Sequence, residues 1–145
     1  MALVSLTRLH LRSILYFPSF VFYAQRSVRQ ASASEGFVEG ATMAEMPRAL
    51  GFWTMTLWRD VEAMRAFRNA AAHLEAMKRL PRWCDESAVT HYESDALPSM
   101  EEAHRRMRES GKLTKVRNPS ALHAAGKACT DRVPRAGQRF AARAR

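Results

Sequence analysis

Between Gly51 and Arg59 the chain reads Phe52-Trp53-Thr54-Met55-Thr56-Leu57-Trp58. Aromatic, β-branched and long aliphatic residues suit a pleated strand. Side chains alternate along it, so Phe52, Thr54, Thr56 and Trp58 share one face and Trp53, Met55 and Leu57 the other. Neither face carries a charge. A strand of this kind is covered on both sides. Helices of the same chain can cover one face, but a chain of 145 residues has few elements left for the second.

The rest of the sequence organises around that strand. Ala2–His10 reads as a first strand, with Val4, Leu6 and Arg8 alternating against Leu3, Ser5, Thr7 and Leu9. Proline fits the first helical position better than the interior, so a helix is expected from Pro18 to Ala31, with Val21, Ala24 and Val28 as its apolar stripe. Phe37–Glu45 is a second strand, with Phe37, Ala41 and Met43 on one face and Gly40 marking a bulge or a close approach. Met46–Gly51 turns the chain into the third strand. Asp60 caps a helix carrying Val61, Met64 and Phe67 on one side. Asn69 interrupts it, Ala70–Leu80 resumes it with His73 or Leu74, Met77 and Leu80 inward, and Pro81 ends it. A tight connection, Pro81–Glu86, leads to a fourth strand, Ser87–Tyr92. Ser99 and Glu102 form a capping box for a further helix, with Glu101–Arg105 and Glu102–Arg106 pairs, a stripe of Met100, Ala103 and Met107, and Gly111 past its end.

Composition is that of a globular domain, 47% hydrophobic and 26% charged. The net charge of +9 is concentrated at the C-terminus, where nine Lys and Arg after Ser110 face one acid, Asp131. Weak periodicity and scattered Gly and Pro there read as a largely disordered basic tail. The division expected is 1–95 for the α+β domain, 96–111 for the C-terminal helix and 112–145 for the tail. Two cysteines make neither a disulfide framework nor a zinc site, and no apolar run is long enough to span a bilayer. A cytoplasmic protein with no membrane partner follows. The first 34 residues, Arg- and Ser-rich with no acid, also have the composition of a transit peptide; the structural reading is preferred because the later strands need the first as partner.

The order strand-helix-strand-strand-helix-strand is ferredoxin-like βαββαβ, of class α+β. At Phe52–Trp58, Asp60–Phe67, His73 and Pro81-Arg82-Trp83-Cys84-Asp85-Glu86 the chain resembles the dimeric α+β barrel superfamily, among uncharacterised relatives of the antibiotic-biosynthesis monooxygenases. The resemblance covers roughly residues 2–92. It implies a homodimer whose sheets pack face to face, which would supply the missing layer, and a cavity between sheet and helices. Some members oxidise aromatic polyketides or quinols with oxygen and without metal or cofactor, others bind haem, and fold alone does not choose among them.

His73 is the candidate catalytic base, since a neutral imidazole on the cavity wall could take a phenolic proton; the competing role is a structural histidine bonded to a backbone carbonyl near Asn69. Trp83, Trp53, Trp58 and His91 are candidate substrate-binding residues, the indoles as flat walls for an aromatic ring. Cys84 lacks any sign of a depressed pKa. Asp85 and Glu86 are adjacent and expected to point opposite ways, so no metal or acid/base pair is assigned. The expected function is a monooxygenase-like, cofactor-independent oxidation of an aromatic or quinone-like molecule. The alternatives are a non-catalytic binding module for a small apolar ligand and polyanion binding through the tail. Nucleic acid is disfavoured because Phe140 is the tail's one aromatic residue.

Overall fold

The computed structural model describes residues 2–45 and 50–143. Its strands are β1 (Leu3–Leu11), β2 (Phe37–Ala44), β3 (Gly51–Trp58), β4 (Cys84–Glu93), β5 (Lys112–Leu113) and β6 (Arg135–Ala141). Its helices are α1 (Phe17–Ala33), α2 (Val61–Arg68), α3 (Ala71–Trp83), α4 (Met100–Ser110) and the short α5 (Ala121–Ala124), with a 3-10 turn at Ile14–Tyr16 before α1. The six strands form one sheet in the order β5-β4-β1-β3-β2-β6, antiparallel throughout. The class is α+β with ferredoxin-like topology. The expected turn at 46–49 lies outside the described residues, but the β2–β3 pair that it joins is formed.

Local chemistry sets the boundaries. Asp60 accepts from the Ala63 amide at 2.9 Å and starts α2. Ser99 accepts from the Glu102 amide at 3.1 Å and starts α4, while the Glu102 carboxylate turns to Arg105 and Arg106 instead of reaching back to the cap. Asn69 ends α2, and the chain re-enters helix through Ala71 at φ 48°. Gln30 of α1 locks that junction: its amide donates to the carbonyls of Phe67 and Ala70, and its oxygen accepts from the His73 amide. Pro81 does not end α3. It sits in the last turn, where it gives up one i→i−4 bond, and the helix runs on to Trp83. The strand follows at once, so the tight connection expected at 81–86 does not exist as a loop.

The sheet has two unlike faces. One, formed by Val4, Leu6, Trp53, Met55, Leu57, Ala41, Met43 and Ala88, is covered by Ala103 and Met107 of α4 and by Cys129. The other is covered by α1, α2 and α3 in two separate clusters. At one end Leu3, Phe37 and Trp58 meet Ala31, Met64 and Phe67. At the other, Leu9, Leu11 and Phe52 meet Tyr16, Phe20, Tyr23, Leu80 and Trp83. Thus α1 meets the sheet through Phe20, Tyr23 and Ala31, one position away from the expected Val21–Ala24–Val28 stripe. Met77, expected inward, is 39% exposed. Phe37 also leaves the face of Ala41 and Met43, because a bulge between Phe37 and Glu39 shifts the alternation by one residue.

The second layer that β3 requires is therefore supplied by this chain's own α4, through the stripe Met100–Ala103–Met107. The segment after Gly111, expected to be largely disordered, carries ordered elements. β5 pairs with β4 at one edge of the sheet, and β6 pairs with β2 at the other. Between them Ala128 and Cys129 lie on the α4-covered face, where the Ala128 carbonyl meets Arg8 and the His104 ring bonds the Thr130 carbonyl at 2.8 Å. The segment is a strap laid from edge to edge. Gly40 owes its identity to it: a Cβ there would lie 2.5 Å from the Phe140 ring of β6. β1, the segment with transit-peptide composition, occupies the sheet's interior between β4 and β3.

Candidate functional site: a strip of hydroxyls beneath α1

On the helix-covered face the register sets small hydroxyls side by side. Ser5 lies opposite Thr56 and His91, and Thr7 opposite Thr54 and Val89. Alternation turns them all toward α1, since Val4, Leu6, Met55 and Ala88 occupy the other face. Central strands beneath a helix layer are ordinarily dry. Here Ser5, Thr7, Thr54 and Val89 stay partly accessible and His91 is exposed, between the two apolar clusters. The side chains of Ser5, Thr7 and Thr54 make no hydrogen bond to any described residue. Thr56 accepts from Trp58 Nε1 at 2.9 Å.

Ser27 closes this strip from above. It falls on the Phe20–Tyr23–Ala31 stripe of α1, between the two clusters. Its Oγ is the buried side-chain polar atom that lacks a hydrogen-bond partner among the described residues. Leaving such a group unsatisfied costs about 1–3 kcal/mol.

His73 stands at the Trp58 end of this strip. Its ring packs on Phe67 at 4.5 Å between centroids, and Phe67 on Trp58 at 5.0 Å. Nδ1 lies 3.1 Å from the Arg68 carbonyl. A carbonyl only accepts, so Nδ1 carries the proton and Nε2 holds a free lone pair. Burial pushes the His73 pKa below its ordinary value, against the help of that hydrogen bond, with the Arg68 charge lowering it further. His91 is shifted the same way by burial, then by Arg68 and Lys112. Arg68 thus lies within electrostatic reach of both rings. The carbonyl partner gives His73 the structural role, and the same bond fixes the tautomer that a base needs.

The tryptophans do not converge. Trp58 is fully buried in the cluster beside His73. Trp53 faces α4, on the opposite side of the sheet, and donates to Glu45 at 2.9 Å. Trp83 is core at the other end of α3, packed on Tyr23 at 5.6 Å. Ten helical residues separate it from His73, about 15 Å of rise. The geometry links His73 to Trp58 through Phe67, sets His91 opposite Ser5 on the same face of the sheet, and leaves Trp53 and Trp83 elsewhere. The sequence reading passed over Ser5, Thr7, Thr54, Ser27 and Arg68. Their signal was two strands with hydroxyls at every second position, informative only once β1 and β3 are known to be neighbours.

A second polar cluster lies under α4 and the strap. Arg8, 0% exposed, holds Glu45 through Nε and Nη2 at 2.6 and 3.2 Å and Glu86 through Nη1 at 2.7 Å. Burial alone would raise the Glu45 carboxyl; the hydrogen bond and charge of Arg8 outweigh it and hold the pKa down. Asp85 and Glu86 do not diverge as expected. The register shift at His10/Leu11 turns both toward β1, and the donor atoms of His10, Asp85 and Glu86 fall within 4.8 Å of one another. Those donors are engaged: His10 Nδ1 with Asp85 at 2.6 Å, Glu86 with Arg8 and with Ser120 at 2.7 Å. The set is a partly buried hydrogen-bond network joined to Arg8 through Glu86. Cys84 is no nucleophile, its thiol being pushed up to about 12 by burial and then by Asp85.

In overall shape the chain is similar to solved structures of antibiotic-biosynthesis-monooxygenase type. SnoaB, a cofactor-independent oxygenase from Streptomyces nogalater, matches 68% of this chain and 98% of its own length with a TM-score of 0.56 at 16% identity. Rv0793 from Mycobacterium tuberculosis matches 68% of this chain and all of its own, with a TM-score of 0.59 at 13% identity. A protein of Nitrosomonas europaea, provisionally named an antibiotic biosynthesis monooxygenase, matches 68% and 94%, with a TM-score of 0.59 at 11% identity. At these identities the likeness is one of fold alone. No curated protein matches the sequence. The model of the family described as Domain of unknown function (DUF3291) matches residues 16–114, from the turn before α1 to the residue after β5, and the chain belongs to that family.

Proposed function

We propose that this protein binds a small aromatic or quinone-like molecule at the strip of hydroxyls beneath α1 and oxidises it in monooxygenase fashion without a cofactor. His73 takes the proton. The observation that carries the reading is His73 itself: neutral through burial, its Nδ1–H held by the Arg68 carbonyl, its Nε2 unbonded among the described residues. A phenol or quinol that gives its proton to Nε2 becomes electron-rich enough to reduce oxygen directly, so the substrate supplies the electrons that a flavin or metal would otherwise supply. Ser5, Thr7, Thr54 and Ser27 offer hydroxyls to the oxygens of such a ring. Arg68 favours the anion that forms. His91, at the exposed end of the strip, is a substrate-binding residue in this reading; Trp58 backs the site from the core.

Oxygen uptake across a panel of quinols and hydroxylated aromatics, beside ligand titration, tests the reading. His73→Ala is expected to lower turnover about 10²–10⁴-fold, the usual worth of general-base help, with affinity nearly unchanged. Thr54→Val is expected to weaken binding roughly tenfold, about 1.4 kcal/mol, with little change in turnover at saturation. Ligand binding with no oxygen consumed by any substrate would replace the enzyme with a binding module. Full turnover in His73→Ala would remove His73 from the mechanism.

A further inference from the structure

The turn before α1 and the outer face of α1 present apolar side chains that lie exposed among the described residues. Ile14 is 61% exposed, Leu15 83% and Phe22 53%. Leu15, Pro18 and Phe22 recur at spacings of three and four, which sets them on the outer stripe of the helix, opposite the Phe20–Tyr23–Ser27–Ala31 stripe that meets the sheet. Arg26 and Arg29 continue the same outer stripe, and Arg12 precedes the turn. Two of these guanidiniums lie against aromatic rings, Arg26 5.4 Å from the centre of Phe22 and Arg12 5.4 Å from that of Tyr16. No acidic residue occurs before Glu35. The strap adds charge at the same end: Val116 is buried against Leu11 and Trp83, which sets the exposed Lys115 and Arg117 on either side of it.

We propose that this surface docks on an anionic lipid bilayer, Ile14 and Leu15 entering the headgroup–acyl boundary while the surrounding arginines meet lipid phosphates. Among the described residues no helix is long and apolar enough to cross a membrane; a peripheral contact of this kind needs none. An apolar tip ringed by basic residues has the two attractions that interfacial elements combine, burial of apolar area and Coulombic attraction to acidic lipid. A second copy of the chain is the poorer occupant, because a two-fold contact would bring Arg12, Arg26 and Arg29 toward their own copies. Nucleic acid could use Phe22 and the arginines but would leave Ile14 and Leu15, the most exposed apolar side chains of the patch, without a partner.

The test is co-sedimentation of the full chain with vesicles of phosphatidylglycerol and phosphatidylcholine mixed, and with phosphatidylcholine alone. Binding is expected to the mixed vesicles and to weaken at least tenfold in the double variant Ile14→Glu/Leu15→Glu, whose thermal unfolding should stay unchanged because both side chains are exposed. Leu15→Trp gives a second readout. The native tryptophans are 0–6% exposed, so a blue shift of the added emission on vesicle binding reports insertion of the tip. Three outcomes overturn the proposal: no binding to the mixed vesicles; binding that survives the double substitution, which would belong to the basic C-terminal segment; or a stable dimer that the double substitution dissociates, which would make the patch an interface between copies.

Discussion

The two faces of the sheet are built from the same three central strands and do opposite things. Beneath α4 the side chains interlock, and the one charged residue in the middle, Arg8, is answered on each side by a carboxylate. Beneath α1 the middle of the sheet carries Ser5, Thr7, Thr54 and Thr56, apolar contact is confined to the two ends, and hydroxyls remain without partners. The first face holds one continuous cluster; the second keeps partly accessible hydroxyls between two smaller ones. A sheet this small presents an apolar face and a hydroxyl-bearing one because alternation assigns consecutive residues to opposite faces.

The comparison can be broken most severely by removing the cover of the dry face. Deleting residues 99–145 uncovers Val4, Leu6, Met55 and Leu57 and adds a bare sheet edge on each side. The truncated chain is expected to self-associate or precipitate at micromolar concentration where the full chain stays soluble, as sedimentation velocity would read. A well-behaved truncation with the full chain's sedimentation coefficient per protomer would show that α4 and the strap are not the missing layer.

Next in size is the ion network. Arg8→Met leaves Glu45 and Glu86 buried without their cation, and breaking a buried pair from one side costs about 3–5 kcal/mol. Urea unfolding is expected to lose that much, with part recovered when Glu45→Gln and Glu86→Gln are added. On the other face Thr54→Val, which removes a partly accessible hydroxyl with no described partner, should stay within about 0.5 kcal/mol of wild type. Equal losses at the two positions would erase the distinction between the faces.

The smallest effect is that of pH on His73. Burial holds its pKa below the ordinary 6.5, so the unfolded chain binds the proton more readily than the folded one. The stability contributed by the neutral ring is complete above pH 6.5 and is lost as pH falls from there through the lowered native value. His73→Gln keeps a side-chain N–H able to reach the Arg68 carbonyl and cannot titrate. Its unfolding free energy should therefore fall less steeply than wild type below pH 6.5, while Glu45, whose pKa is also held down, still loses its contribution at lower pH in both proteins. Parallel curves for the two proteins would mean that His73 is not desolvated.

Much of this was legible in the residues. The doubly apolar character of Phe52–Trp58, the cap at Asp60, the break at Asn69, the capping serine at Ser99 and the α+β order depend on neighbours within a few positions, where propensity and alternation act directly. His73 could be singled out as a titratable group near an apolar helix face, and its carbonyl partner beside Asn69 was foreseen as the competing role. The pairing of Ser5 with Thr56 and of Thr7 with Thr54 was not legible, because it depends on the register between strands more than forty residues apart. Trp53 and Trp83 looked like ring walls because an indole's chemistry is visible in sequence and its direction in space is not. The α4 cover and the edge-to-edge strap were hidden for a further reason. Residues 112–143 have little periodicity of their own; they are ordered by a sheet already formed, through edge hydrogen bonds at β5 and β6 and a few burials such as Val116 and Cys129. Local sequence determined which segments are strand or helix. Long-range packing decided which face would be sealed and which left open.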